Sequence, residues 1–121
     1  MPVSMTQVKA ALKKGDLSLV HHLYRKACQL GKGADYLLKE GYPLTAADLF
    51  AEAGMHLVGG KRLLDAGEED EANRLFTLGR VHAEGAKLLL NAGHFRLAGK
   101  QFKRAGMYEE SRKAYRSAGI Y

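Results

Sequence analysis

The sequence predicts an all-α fold, a right-handed α-solenoid of about nine short antiparallel helices built on a 26-residue helical-hairpin repeat. Three observations carry that prediction. Stepping by 13 from Tyr24 meets Leu37, Phe50, Leu63, Phe76, Leu89, Phe102 and Tyr115, a large apolar or aromatic residue in each of eight consecutive slots. Four residues before each stands Val20, Gly33, Ala46, Gly59, Ala72, Gly85, Ala98 or Ser111, and four after it stands Gly in six slots of eight, the exceptions being Cys28 and Arg80. Tyr24, Phe50, Phe76 and Phe102 alternate with Leu37, Leu63, Leu89 and Tyr115, which doubles the 13-residue unit to 26.

Spacings of four and three put the small and bulky side chains on one face of a helix, and a terminal Gly accepts the left-handed conformation that ends it. Each unit is therefore one short helix and its turn. The chain opens with a less regular hairpin over 1–32, in which a helix from about Ser4 to Lys14 is broken at Gly15-Asp16. Asp16 then caps a longer helix from Leu17 to Leu30. Repeats follow at 33–58, 59–84 and 85–110, with a partial fourth at 111–121, all in one continuous domain. Pro43 falls in a first helical turn, where its missing N–H is harmless. Gly59 and Gly85 sit inside helices at a cost of about 1 kcal/mol each relative to Ala, which close approach of a neighbouring helix offsets. The last residues, Gly119-Ile120-Tyr121, fall where another helix would begin; either the polar helix with Arg112, Lys113 and Arg116 closes the array, or the array continues.

Composition agrees with a folded chain and excludes several classes. Of 121 residues, 46% are hydrophobic and 26% charged, with 14 Gly, 2 Pro, one Cys and no Trp, which suits a single domain or short array and not a disordered chain. No apolar run exceeds three residues, as at Leu88–Leu90, so membrane insertion is not expected, and residues 1–16 lack the apolar stretch of a secretory signal. A lone Cys28 makes no internal disulfide and fits a reducing compartment, so a cytoplasmic location is expected.

Ala46, Phe50 and Ala53, and again Ala98, Phe102 and Ala105, form an Ala-x3-Phe-x2-Ala pattern that resembles the second helix of tetratricopeptide repeats. The period of 26 is shorter than in that family, and no Trp or helix-ending Pro accompanies each unit. The runs at 47–54 and 106–119 look more like the short-helix solenoids of soluble NSF attachment proteins and of vesicle-coat and ciliary-transport subunits. The resemblance spans about residues 20–119 and implies a protein-binding scaffold or adaptor, not an enzyme. The matched positions are structural, so no binding residue is carried over.

Charge is laid out in blocks. The net charge of +6 arises from +5 over 1–32, −5 over 33–84 and +6 over 85–121. The basic end, with Lys100, Lys103, Arg104, Arg112, Lys113 and Arg116, is the candidate partner-binding zone, joined by the turn-following aromatics Phe95 and Tyr108. Its expected partner is a protein. A nucleic acid bound through the same cations is the alternative, a second copy covering an open array end is a third, and a plain solvated face remains the simplest account. The acidic cluster Asp65, Glu68, Glu69, Asp70 and Glu71 surrounds a helix start, where the helix dipole favours negative charge.

No catalytic, cofactor or metal site is expected. His56 and His82 stand 26 apart in equivalent slots, at least one interhelical distance from each other and too far to share an ion; the adjacent His21 and His22 point in different directions. The stretch from Gly54 to Arg62 only superficially resembles a phosphate loop, since Arg62 stands where Ser or Thr should hold magnesium and no strand precedes it. Cys28 occupies a helix-end slot without a base partner and is expected to be a buried structural thiol. Adjacent Glu109 and Glu110 project from different helical faces. The stripe Phe50, Phe76, Phe102 is expected in the core, whereas Tyr42, Phe95, Tyr108 and Tyr121 either staple adjacent helices or, with Met55, Met107 and Ile120, edge a groove.

Overall fold

The computed structural model describes residues 2–120. Among them are nine helices and no strand: α1 (Met5–Lys13), α2 (Leu17–Lys26), α3 (Leu30–Lys39), α4 (Pro43–Glu52), α5 (His56–Asp65), α6 (Glu69–Leu78), α7 (His82–Asn91), α8 (Phe95–Arg104) and α9 (Tyr108–Ser117). From α2 onward every helix has 10 residues. Each therefore spans about 15 Å.

The turn chemistry explains why successive helices start at a constant interval. The backbone N–H two residues beyond each C-cap returns to the carbonyl of the bulky residue, as in Tyr42 to Leu37 at 2.9 Å, Met55 to Phe50 at 2.9 Å, Glu68 to Leu63 at 2.8 Å and Met107 to Phe102 at 2.9 Å. The intervening residue bonds one turn back, as in Gly41 N–H to Leu38 O at 3.2 Å, which completes a Schellman motif. The same residue that closes one helix opens the next, since Tyr42 O already accepts from Ala46 N–H. Ten helical residues, a C-cap, a left-handed residue and a shared cap thus account for the spacing of 13 between the starts of α2 to α9.

The left-handed slot is where the two exceptions to the glycine pattern become visible. Cys28 at φ 55° and Arg80 at φ 54° are the only non-glycine residues with positive φ among the described residues, and both hold that slot. This corrects the longer opening helix expected to reach Leu30: α2 stops at Lys26, because Cys28 N–H bonds Arg25 O at 3.0 Å and Gln29 N–H bonds Tyr24 O at 2.9 Å, the same closure without glycine. It also corrects the buried thiol, because Cys28 is exposed like the other residues of that slot.

Side-chain N-caps form at the irregular start, where Ser4 Oγ accepts from Gln7 N–H at 3.4 Å and Asp16 accepts from Leu19 N–H at 3.1 Å. Pro43 opens α4, and Glu69, Asp70 and Glu71 fill the first turn of α6, where the helix dipole favours them.

The helices form two compact units, residues 1–55 and 56–121. In the first, α1 packs on α2, α2 on α3 and α3 broadly on α4, with α2 also touching α4. Gly33 lies under the ring of Tyr24, where an added Cβ would come within 2.5 Å of the ring carbon Cγ. Tyr24 holds the slot that Phe fills elsewhere and turns its hydroxyl to Met5 Sδ at 3.6 Å; burial, and then nearby Tyr36, pushes its pKa up. Arg25 ties α2 to α4 by a two-pronged bond to Glu52 at 2.6 and 2.9 Å, with His21 Nε2 3.4 Å from the same carboxylate.

In the second unit α5 packs on α6, α7 on α8 and α8 on α9, with smaller α6–α7 and α5–α7 contacts. Phe76 is wholly buried at its centre. Gly60 on α5 and Gly85 on α7 border its ring; a Cβ on Gly85 would stand 2.5 Å from the ring carbon Cγ. The bulky residue of one helix thus seats on a small residue of the next, as the pattern predicts. Leu63, Leu75, Leu89 and Phe102 complete this core.

Candidate functional site

Of the surfaces predicted to bind a partner, the one on α8 and α9 is assembled by packing. Gly99 on α8 and Ser111 on α9 let the two helices approach: Ser111 Oγ donates to Gly99 O at 2.8 Å, and the ring of Tyr115 lies where a Cβ on Gly99 would stand, 2.9 Å from Cε1. Tyr115 is thereby laid across α8. Its ring continues into an open depression of about 550 Å³ lined by Lys100, Lys103, Arg104, Tyr108 and Tyr115. Lys100, Lys103 and Arg104 come from one exposed face and the end of α8, while Tyr108 opens α9 and is 59% exposed.

A second depression of about 470 Å³ is lined by Arg112, Tyr115, Arg116 and Ile120. Among the described residues neither lining contains an Asp or Glu, although Glu109 and Glu110 stand exposed in the first turn of α9. The predicted residues therefore separate into three groups. Lys100, Lys103, Arg104 and Tyr108 converge in the first depression, and Arg112 and Arg116 converge in the second. Exposed Lys113 and half-buried Phe95 line neither. Tyr115, read from the sequence only as a core residue of the repeat, is half-buried and serves both walls.

Behind the first depression lies a polar chain that the sequence reading missed. Gln101 is fully buried, in the slot where Leu23, Leu49 and Leu75 stand at 26-residue steps. Its amide nitrogen donates to Asn73 Oδ1 at 2.8 Å and to Thr77 Oγ1 at 2.9 Å, with a longer approach of 3.4 Å to Asn73 O. Its amide oxygen lies 2.8 Å from His82 Nδ1. With both amide hydrogens on α6, that oxygen needs a donor, which assigns the Nδ1–H tautomer to His82. Thr77 in turn accepts from Arg104 Nη1 at 2.8 Å. The visible signal was a Gln in a Leu slot.

Other candidate chemistry does not assemble. Among the described residues no three His, Cys, Asp or Glu side chains converge as a metal-ligand group, and His56 packs instead at Gly79 while His82 bonds Gln101. Gly59 and Gly60 lie within α5, so the stretch that resembled a phosphate loop is helix from His56 onward, with Gly54 in the preceding turn. None of the helices is long and apolar enough to cross a membrane among the described residues. Comparison of the chain with protein-family models, curated proteins and solved structures finds no match.

Proposed function

We propose that this chain is a protein-interaction scaffold or adaptor, a right-handed solenoid of 26-residue helical hairpins that takes an acidic segment of a partner protein in the depression on α8 and α9. The observation that carries the reading is the convergence of Lys100, Lys103 and Arg104 with Tyr108 and Tyr115 in a depression whose described lining residues include no Asp or Glu. Three cations supply long-range attraction and on-rate, whereas the tyrosines supply flat apolar area with little conformational freedom to lose. Repetition of one turn chemistry from α2 to α9 supports the solenoid, since each short helix is marginal alone and is stabilised by its neighbours. An exposed, unpaired Cys28 accords with a reducing, cytoplasmic setting.

The same groups also suit single-stranded nucleic acid, in which bases stack on tyrosines and cations meet phosphates. Fluorescence anisotropy of the full chain against a Glu-rich peptide and a mixed-sequence RNA oligonucleotide separates the two. The scaffold reading expects saturable peptide binding that Lys100→Glu with Lys103→Glu weakens at least tenfold, and weaker, steeply salt-dependent RNA binding. Tighter binding of RNA at physiological salt, lost in the same double variant, reverses the assignment.

A further inference from the structure

We infer that Arg104 is preset to receive a carboxylate, and that Thr77 is the positioning residue that holds it, fixed in turn by buried Gln101. The inference rests on the reading of the α8–α9 depression as a binding site and specifies how one of its cations works. Thr77 on α6 is two helices and 27 residues from Arg104 on α8, yet its hydroxyl is 2.8 Å from Arg104 Nη1.

The hydroxyl's hydrogen-bonding capacity is fully assigned. Thr77 Oγ donates to Asn73 O, one turn back on α6, at 3.0 Å. That bond commits its only hydrogen and leaves two lone pairs. One accepts from Gln101 Nε2 at 2.9 Å and the other from Arg104 Nη1 at 2.8 Å. Gln101 is fully buried, so it cannot swing away from its half-buried partners Asn73, Thr77 and His82 without leaving its own amide unsatisfied out of reach of water. The direction of the Thr77 lone pair facing Arg104 is thereby set by the core.

An arginine has five N–H donors in a planar fork. Thr77 engages one Nη1 group, while the edge formed by Nε and Nη2 is the one that meets a carboxylate through two parallel bonds. Arg104 is otherwise exposed, on the rim of the depression beside Lys100 and Lys103. A long side chain that is already held loses less freedom on binding, so the tether strengthens binding without touching the ligand. The chemistry selected is a planar carboxylate, from an acidic side chain or a chain end of the partner, rather than a diffuse negative surface.

The test uses the full chain, the Glu-rich peptide, and the variants Thr77→Val, Thr77→Ser and Arg104→Ala. Thr77→Val keeps the shape of the side chain and removes the acceptor; it is expected to weaken peptide binding about three- to tenfold, and Thr77→Ser to restore it. With Arg104→Ala already present, Thr77→Val should change affinity no further. The slope of affinity against salt should stay as in the parent for Thr77→Val and become shallower for Arg104→Ala, because only the latter removes a charge. Without peptide, ¹⁵N relaxation of the arginine side chains should find the Arg104 Nε–H ordered in the parent and in Thr77→Ser, and mobile in Thr77→Val. Equal order in all three overturns the presetting, and so does a Thr77→Val loss of affinity that persists without Arg104. Loss of Arg104 order in Thr77→Val together with no peptide binding by the parent retains the tether and overturns the depression as an acidic-peptide site.

Discussion

Replacing Phe76 by Ala tests the packing that holds α5, α6 and α7 together. Phe76 is 0% exposed, and its ring is bordered by two glycines, Gly60 and Gly85, which have no side chains to relax into vacated space. Losing roughly 100 Å² of buried ring surface at about 25 cal/mol/Å² removes about 2.5 kcal/mol. A residual cavity of roughly 80 Å³ at about 24 cal/mol/Å³ adds about 2 kcal/mol, giving about 4.5 kcal/mol in total. Urea unfolding followed by circular dichroism measures it, with Leu78→Ala as control, because Leu78 lies on the same helix but is 56% exposed. A sign inversion sharpens the test. A Cβ on Gly60 would meet Cε1, Cζ and Cδ1 of Phe76, the latter two at 2.7 and 2.9 Å, all atoms that Phe76→Ala deletes. Gly60→Ala should therefore destabilise the parent, yet stabilise the Phe76→Ala protein by up to about 1 kcal/mol through helix propensity. A Phe76→Ala loss below about 1 kcal/mol, or a Gly60→Ala effect of one sign in both backgrounds, would falsify this packing.

Restoring the repeat at position 101 should harm the protein: Gln101→Leu matches Leu23, Leu49 and Leu75, but it strips Asn73, Thr77 and His82 of a shared partner. A loss of about 1–3 kcal/mol is expected by chemical denaturation, and a gain in stability would show that the amide is dispensable. Cys28→Gly and Arg80→Gly relieve left-handed backbone at φ 55° and 54°, so each should raise the thermal midpoint, by roughly 1 kcal/mol of stability at most; no rise in either sinks the strain argument. The Arg25 hydrogen bonds hold the Glu52 carboxyl below its ordinary range, with the charges of Arg25 and His21 acting the same way. A lowered carboxylate pKa contributes stability above the unfolded-state value of about 4.3 and loses it as pH falls through the folded one. Glu52→Gln should thus lower the thermal midpoint at pH 7 and converge on the parent under acid, whereas a pH-independent difference would assign its effect to packing alone.

The helices were legible because what ends them is local. A bulky residue, two positions, a small residue and a Gly contain the whole Schellman closure within one turn, so most of α3 to α9 follow from short-range pattern, and α6, which closes on Arg80, is placed by the repeat on either side of it. The same local logic explains why the end of α2 is not legible in the sequence: without Gly, Cys28 gives no sign of the left-handed slot, and an expected helix end at Leu30 lies beyond the actual one at Lys26. Phe50, Phe76 and Phe102 were placed in the core by periodicity, and all three are buried.

The candidate site was legible only as a list of cations. Six basic residues and two aromatics in one stretch of chain do not say which of them share a wall. That depended on how closely α9 approaches α8, which Gly99 and Ser111 decide, and on the angle at which this approach lays down Tyr115. In the sequence Arg104 is one charge among several; its bond to Thr77 and the bond of Gln101 to Asn73 join residues 27 and 28 positions apart. A repeat sequence determines its helices and turns by itself, because those hydrogen bonds close within five residues. Which side chain meets which across neighbouring helices is decided by tertiary packing, since it depends on the small residues that set the distance between backbones.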